Sequence, residues 1–395
     1  MSALLPVAEA QARLLALASP LPSETLPLAE AAGRYLAEAC TAMRGQPAAD
    51  LSAMDGYAIA FANMPGPWRV VGESVPGTLP DRAIASGEAM RIFTGAPLPA
   101  GADAILIQED AARDGDALTL TDEGPRRRGQ HVRSADSDFA HGQQLVAQGM
   151  RLTPARIGLA AMGGHGRLQV GRRPRVALIS TGDELILPGE PVSGVQLPAS
   201  NAIMLRTMLD PVGAIVDDLG IVRDDFDTLA AAFDAARGAD IIVTSGGASV
   251  GDHDLVRPVL DAIGGKLDFW KIAMKPGKPL LAGTLGNAIA LGLPGNPVST
   301  YVTATLFLLP LVRALQGASD PLPPIHRVRL GAPLPACGGR AEYLRGLWAN
   351  GEVVQASEQD SAAMVSLASA NALIVRPAGA PPAEAGDMAE IVELA

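Results

Sequence analysis

The sequence predicts a multidomain α/β plus β protein, built around a central doubly wound α/β domain. Three observations lead there. The chain has 395 residues, more than one hydrophobic core usually organises. From 174 to 317 strand and helix patterns alternate, and the strands include uninterrupted apolar runs such as VALIS and IIVT. Such runs suit a parallel sheet covered on both faces. On either side lie short strand-like pieces cut by Gly and Pro, the pattern of small β domains.

Taken in order, residues 6–19 (PVAEAQARLLALAS) carry apolar residues at helical spacing, and Pro20 and Pro22 end that helix. A second helix is expected from Pro27 to Glu38, followed by a break at Gly45-Gln46-Pro47. Between 49 and 141 the strand-like pieces are Tyr57 to Ala60, Trp68 to Gly72, Ala89 to Phe93, Ala104 to Gln108 and Ala117 to Leu120. Helical character returns at Pro154 to Met162. If that segment packs with the N-terminal helices, the β region is an insertion. The expected division is therefore 1–48 with 142–173 as an elongated N-terminal helical domain, 49–141 as an inserted β domain, 174–318 as the α/β domain and 319–395 as a C-terminal β barrel or sandwich. Within 174–318, strands are expected at Arg175 to Ser180, Ala214 to Leu219, Asp240 to Thr244, Leu267 to Ala273 and Ala288 to Leu293. Helices are expected at Asn201 to Leu209, Phe226 to Arg237, Asp252 to Ile263 and Pro297 to Gln316. SDPLPPI (319–325) reads as a linker.

Composition removes some function classes. The formal net charge is −11, the opposite of what non-specific nucleic-acid binding needs. An anionic substrate would then require a local cluster of Lys and Arg. Cys40 and Cys337 are far apart in sequence and show no ligand spacing, so they are expected to be passive packing residues. The N-terminus lacks a basic lead and has Glu9 within its apolar stretch, unlike a signal peptide. Val298 to Leu315 is the longest apolar candidate and reads as a buried helix. A cytoplasmic location is expected.

The chemistry is concentrated in loops. Ser245-Gly246-Gly247-Ala248-Ser249-Val250-Gly251-Asp252-His253-Asp254 follows a buried strand and precedes a helix. Glycines let the backbone approach a ligand, and successive N–H groups form an anion cradle. The loop is neither a Walker A sequence nor GxGxxG. Asp252 and Asp254 sit awkwardly beside a phosphate unless a hard cation such as Mg²⁺ intervenes; Asp252 also suits the first turn of a helix. Met274-Lys275-Pro276-Gly277-Lys278-Pro279 supplies the basic cluster, with two lysines on a turn stiffened by prolines. Leu293-Pro294-Gly295-Asn296-Pro297-Val298-Ser299 opens a long helix, where Asn296 or Ser299 suits capping, anion binding or both. Asp183, Glu184 and Asp224 lie at strand ends and suit Mg²⁺ ligation, general-base work or a plain exposed loop. Ser52 to Ala58 (SAMDGYA) and Phe93 to Pro97 (FTGAP) read, taken alone, as tight turns.

SAMDGYA, FTGAPLPAGADA, STGDEL, SGGASVGDHD, MKPGKP and GLPGNPVS occur here in one order. Together they closely resemble the molybdopterin molybdenumtransferase family (MoeA type, shared with the C-terminal part of gephyrin), over residues from about 6 to 392. The resemblance implies four domains: a helical piece made of two segments, an inserted β domain, a molybdopterin-binding-like α/β domain and a C-terminal barrel. It implies a homodimer whose cleft lies between the α/β domain of one subunit and the inserted domain of the other. The implied reaction takes adenylylated molybdopterin, molybdate and Mg²⁺, releases AMP and leaves molybdenum on the dithiolene. Asp55, Thr94, Asp138, Glu184, Asp224 and Asp254 are the implied catalytic set, with Glu184, Asp224 and Asp254 toward the metal. Ser245, Gly246, Gly247, Ser249, Gly251 and Asn296 would hold the pterin substrate. Lys275 and Lys278 would hold molybdate, with Ser299, Arg345 and Ser361 nearby. Contact with the molybdopterin adenylyltransferase is also implied. The pattern is departed from at Asp136-Ser137-Asp138, at Ala199-Ser200-Asn201 and at Asp360-Ser361. Two other readings remain open: a molybdopterin carrier without turnover, and a nicotinamide oxidoreductase that would have to work without GxGxxG.

Overall fold

The computed structural model describes residues 4–247 and 255–394. At its centre stands a six-stranded sheet. In spatial order its strands are Ile215–Val222, Arg175–Thr181, Ile241–Ser245, Ala288–Leu293, Leu281–Leu285 and Lys266–Trp270. The first four run parallel, Leu281–Leu285 runs against them, and Lys266–Trp270, antiparallel to that strand, runs with the first four again. The sheet is thus mixed, where apolar runs alone suggested a parallel one. Leu281–Leu285 is the strand that sequence reading missed. Its signal was the two-residue Gly286-Asn287 turn before Ala288, with Gly286 at φ +60°, a hairpin connection that favours Gly.

Alternation along Arg175–Thr181 divides the core. Val176 and Leu178 face a cluster with Ile241, Val243 and Leu291. Ala177 and Ile179 face the opposite cluster, with Leu229, Phe233, Val256 and Val259. Both faces are covered by helices, which is why these strands carry no polar face. The helix Pro297–Leu315 has the length and hydropathy to cross a bilayer, but 78% of that apolar stretch is buried inside the protein. It contains a π segment, Ala304–Leu308, just before Pro310. Proline has no N–H for the Leu306 carbonyl and clashes with it, so the helix widens there.

The first helix, Val7–Ala16, packs through Val7, Ala10 and Leu14 onto the same core as Leu306, Phe307 and Leu311. It therefore joins the α/β unit and not residues 23–41, with which the sequence grouped it. The expected helix from Pro27 to Glu38 is also corrected. Ser23–Pro27 is a strand paired with Arg167–Gly171, and only Leu28–Ala31 is helical. Gly33, at φ +79°, turns the chain out of the helix, and its N–H donates to the Leu152 carbonyl. Tertiary pairing overrides a helical period here. Cys40–Thr41 pairs with Gln144–Val146, so the chain leaves this small unit, builds another sheet, and returns. That inserted sheet has the order Ala104–Ile107, Gly56–Ile59, Glu88–Ile92, Trp68–Ser74, Ala117–Leu120 and Ala111–Asp114.

At the C-terminus five strands close into a barrel: Ala341–Ala349, Glu352–Gln355, Ile325–Leu330, Met388–Glu393 and Ala372–Arg376, which pairs back to the first. Closure removes the exposed edges of a small sheet. The barrel is not a separate bead. Tyr343, Leu373 and Val392 share the core of the α/β unit. Moreover, the chain turns at Lys271, φ +70°, and leaves the central sheet. Met274–Lys275 then adds to the barrel, parallel to Ala341–Ala349. The strand expected from Leu267 to Ala273 therefore ends at Trp270, and the next strand, Met274–Lys275, belongs to the barrel. The expected multidomain α/β plus β class, ending in a barrel, describes the molecule.

Candidate active site

A cavity of about 910 Å³ opens at the carboxyl ends of the parallel strands, the usual place for ligands in such sheets. Strand order sets its layout. The loop after Arg175–Thr181 brings Glu184, and the loop after Ile215–Val222 brings Asp224, both at one end of the sheet. Ser245-Gly246-Gly247 and the Pro294–Pro297 turn line the middle. Lys275 and Lys278 come from the far end, beyond the last strand, and Arg340 joins them from the barrel. Glu184 and Asp224 thus stand at the opposite end of the cleft from the three cations, and the barrel loop adds a further carboxylate, Asp360, to the lining.

Glycine makes the close packing of these loops possible. Gly246 sits at φ +102°, and a Cβ there would lie 2.5 Å from the Thr181 carbonyl oxygen. Its N–H donates to Leu293 O (3.2 Å), tying two loops together. Thr181 is buried, and among the described residues its Oγ1 has no hydrogen-bond partner. An unpaired buried hydroxyl at a cavity wall is a group suited to a ligand. Gly277, at φ +103°, lets the lysine turn lie against the long helix, since a Cβ there would meet Thr303 Cγ2 at 2.5 Å.

The start of that helix is completed by the barrel. Asn296 is its N-cap residue but makes no side-chain cap bond. Its Nδ2 donates instead to Ser361 Oγ (2.9 Å), and the Val298 N–H donates to the Ser361 carbonyl (3.3 Å). Ser361 itself lines the cavity, as does Ser299, which is buried. Asn201 Nδ2 donates to Gly295 O (2.8 Å). Barrel loop, helix start and α/β loops therefore form one wall.

Residues 5–164 of the chain match the family described as MoeA N-terminal region (domain I and II). Residues 177–314 match the probable molybdopterin binding domain, and 327–394 match the MoeA C-terminal region (domain IV). A molybdopterin molybdenumtransferase of Haemophilus influenzae is 37% identical over 335 residues, 83% of this chain and 82% of the relative. The chain belongs to the molybdopterin molybdenumtransferase family. It is accordingly an enzyme, a transferase. A family member from Nostoc sp. is 34% identical, covering 90% of this chain and 85% of the relative. Among solved structures, a molybdopterin biosynthesis MoeA protein of Pyrococcus horikoshii superposes with a TM-score of 0.83 at 28% identity, covering 99% of both chains.

Within one chain, four of the described residues that the family resemblance points to do not line this cavity: Asp55, Thr94, Asp138 and Arg345. Asp55 and Thr94 flank strands of the inserted sheet, and Asp138 lies beside Gln46, where the chain returns from that sheet. Asp55 and Thr94 belong together nonetheless. Asp55 Oδ1 accepts from the Thr94 N–H (2.7 Å) and from its Oγ1 (2.9 Å). Those bonds, with a smaller contribution from Arg91, hold the Asp55 carboxyl below the usual carboxylate range. Asp138 is exposed, and its N–H donates to Gln46 O (2.9 Å). Ser249, Gly251, Asp252 and Asp254 lie outside the described residues.

A folded-state pKa that is lowered keeps Asp55 ionised further into acid. Thr94→Val removes the hydroxyl donor and leaves the backbone one. The Asp55 titration, followed by carboxyl NMR, moves up in pH, and the acid limb of the activity profile moves with it. An unmoved titration would contradict this account.

Arg345 lies behind the cavity wall. It is fully buried, and its Nη2 donates to the carbonyls of Glu358 (2.7 Å) and Asp360 (3.1 Å). Sequence reasoning missed Arg340 and Gln359 as lining residues. Gln359 is tied to the Arg345 backbone in both directions, at 3.0 Å each way. Gly338-Gly339-Arg340, a cation on a glycine turn, was the signal for the first. No local signal marks the second, because its role comes from barrel closure.

Proposed function

We propose that this transferase inserts molybdenum from molybdate into adenylylated molybdopterin, releasing AMP, in a Mg²⁺-dependent reaction in the cytoplasm. The observation that carries the reading is the layout of the cleft: Glu184 and Asp224 at one end, backbone N–H groups and hydroxyls in the middle, and three cations at the other, with Asp360 added from the barrel loop. A tetrahedral oxyanion fits the Lys275–Lys278 end, where flexible ammonium groups on a stiff turn can surround it. The phosphate of the pterin fits Ser245, Gly246 and Gly247, with Asn296 and Ser299 at the helix start.

Mg²⁺ fits the acidic end. Glu184 and Asp224 are two oxygen donors beside the proposed phosphate position, and Mg²⁺ is commonly held by one or two carboxylates plus substrate phosphates. Among the described residues no three of His, Cys, Asp and Glu cluster closely enough to hold a metal alone, which agrees with a site completed by substrate. Asp254 is the further ligand expected from sequence. When bound, the ion would neutralise charge on the phosphates as the adenylyl group leaves. The chain's own part is to fix the pyrophosphate against the glycine loop, to hold the oxyanion at the lysines, and to exclude water with the barrel wall.

Asp55, Thr94 and Asp138 are supplied, in this reading, by a second copy of the chain. The exposed, preorganised Asp55–Thr94 pair, away from its own cavity, supports that arrangement. Contact with the molybdopterin adenylyltransferase would deliver the substrate. The homodimer can be tested by complementation. Asp55→Ala and Lys275→Ala proteins, each expected to be strongly impaired, are unfolded together and refolded. Random pairing regenerates one intact cleft per mixed dimer, so about a quarter of wild-type activity returns. No recovery would place Asp55 and Lys275 in the same chain's site, or outside it. Turnover itself is tested by incubating the protein with adenylylated molybdopterin, Mg²⁺ and molybdate. Pterin binding without AMP release would favour the carrier reading.

A further inference from the structure

Lys275 is not a free cation. Its Nζ lies 3.3 Å from Glu342 Oε1. The pairing is imposed by backbone register, because Met274–Lys275 runs parallel to Ala341–Ala349 with Lys275 opposite Glu342. The carboxylate is the more enclosed partner, with its side chain 21% exposed against 54% for the lysine. Glu342 does not line the cavity, whereas Lys275 does. A barrel residue thus holds, from behind, the ammonium that faces the cleft.

We propose that Glu342 is a positioning residue that restrains Lys275 and lowers its affinity for tetrahedral oxyanions, so that the anion is held loosely enough to be handed on. This rests on the reading of Lys275 as an oxyanion group. The physical argument is competition. Glu342 draws the ammonium toward the barrel and partly neutralises it, and its negative charge repels a dianion that approaches the same nitrogen. A residue that only braced the strand would leave weaker anion binding when altered. A competing carboxylate leaves stronger binding, so the sign of the effect separates the two.

The experiment is calorimetric titration of molybdate into the full-length protein. Glu342→Gln is close in shape and uncharged. Its Kd for molybdate is expected to fall about three- to fivefold, the size of a partly exposed ion pair. Glu342→Ala is expected to shift Kd in the same direction, and Glu342→Asp, which keeps the charge, to leave it near wild type. Lys275→Ala is expected to weaken binding and to abolish the gain from Glu342→Gln in the double variant. Unchanged or weaker binding in both uncharged variants, with Lys275→Ala still impaired, overturns the role of Glu342 alone. Binding untouched by Lys275→Ala overturns the reading of Lys275 and this inference with it.

Discussion

Replacing Lys275 and Lys278 together by alanine is expected to lower kcat/KM for molybdate by about 10²- to 10³-fold, while pterin affinity changes by less than about threefold. The magnitude follows from charge-assisted hydrogen bonds, each worth roughly 1.5–3 kcal/mol when a charged group takes part. The asymmetry follows from place. The lysines stand at the end of the cleft beyond the last strand of the central sheet, whereas the glycine loop stands at its middle. The protein's overall charge sharpens the effect. At a formal net charge of −11, the global field repels a dianion, so attraction must come from Lys275, Lys278 and Arg340 at short range. Binding of molybdate to the double variant should accordingly show a flatter dependence on salt than wild type. Steady-state kinetics at limiting molybdate, beside a fluorescence titration of the pterin, measure both quantities. Equal losses in the two would contradict the division of the cleft proposed here.

The loops of the site were legible in the sequence because Gly and Pro fix local geometry whatever surrounds them. The turns at Gly246-Gly247, Pro276-Gly277 and Pro294-Gly295 follow strands that could be read from their apolar runs, and strand order then brings them together. Pairing across the molecule was not legible. Residues 27–38 carry a helical period, yet Ser23–Pro27 pairs with Arg167–Gly171, far along the chain. Nothing near Lys275 announces that its backbone will join a barrel strand opposite Glu342. The same limit applies to Gln359, whose amide bonds depend on a loop folding back on Arg345. Local chemistry identified the groups that face the cleft. The residues that hold those groups in place became visible only with the tertiary structure.

Arg345 is the strongest example, and its replacement by methionine is expected to cost about 2–4 kcal/mol of stability together with a tenfold or greater loss of kcat. The side chain is 0% exposed, an unusual place for a guanidinium. Burial pushes its pKa down, and Glu358 and Asp360 oppose that shift. It keeps its charge there by donating to Glu358 O, Asp360 O and Ser366 Oγ (3.2 Å). Methionine fills similar volume but withdraws the guanidinium's hydrogen bonds to the loop, and a bond from a charged donor contributes about 1.5–3 kcal/mol. The damage then spreads along a short path. Loop 358–361 carries Ser361, whose hydroxyl and carbonyl engage Asn296 Nδ2 and the Val298 N–H. A loosened loop therefore uncovers the helix start that is proposed to face the substrate phosphate. Arg345→Lys should recover only part of the loss, since one ammonium cannot reproduce the planar fork that reaches two carbonyls and a hydroxyl. Denaturant unfolding reports the first effect and kcat at saturating substrates the second. If Arg345→Met unfolds at the wild-type midpoint, the arginine does not hold the loop. If stability falls while kcat stays, the loop is structural and does not order the cleft.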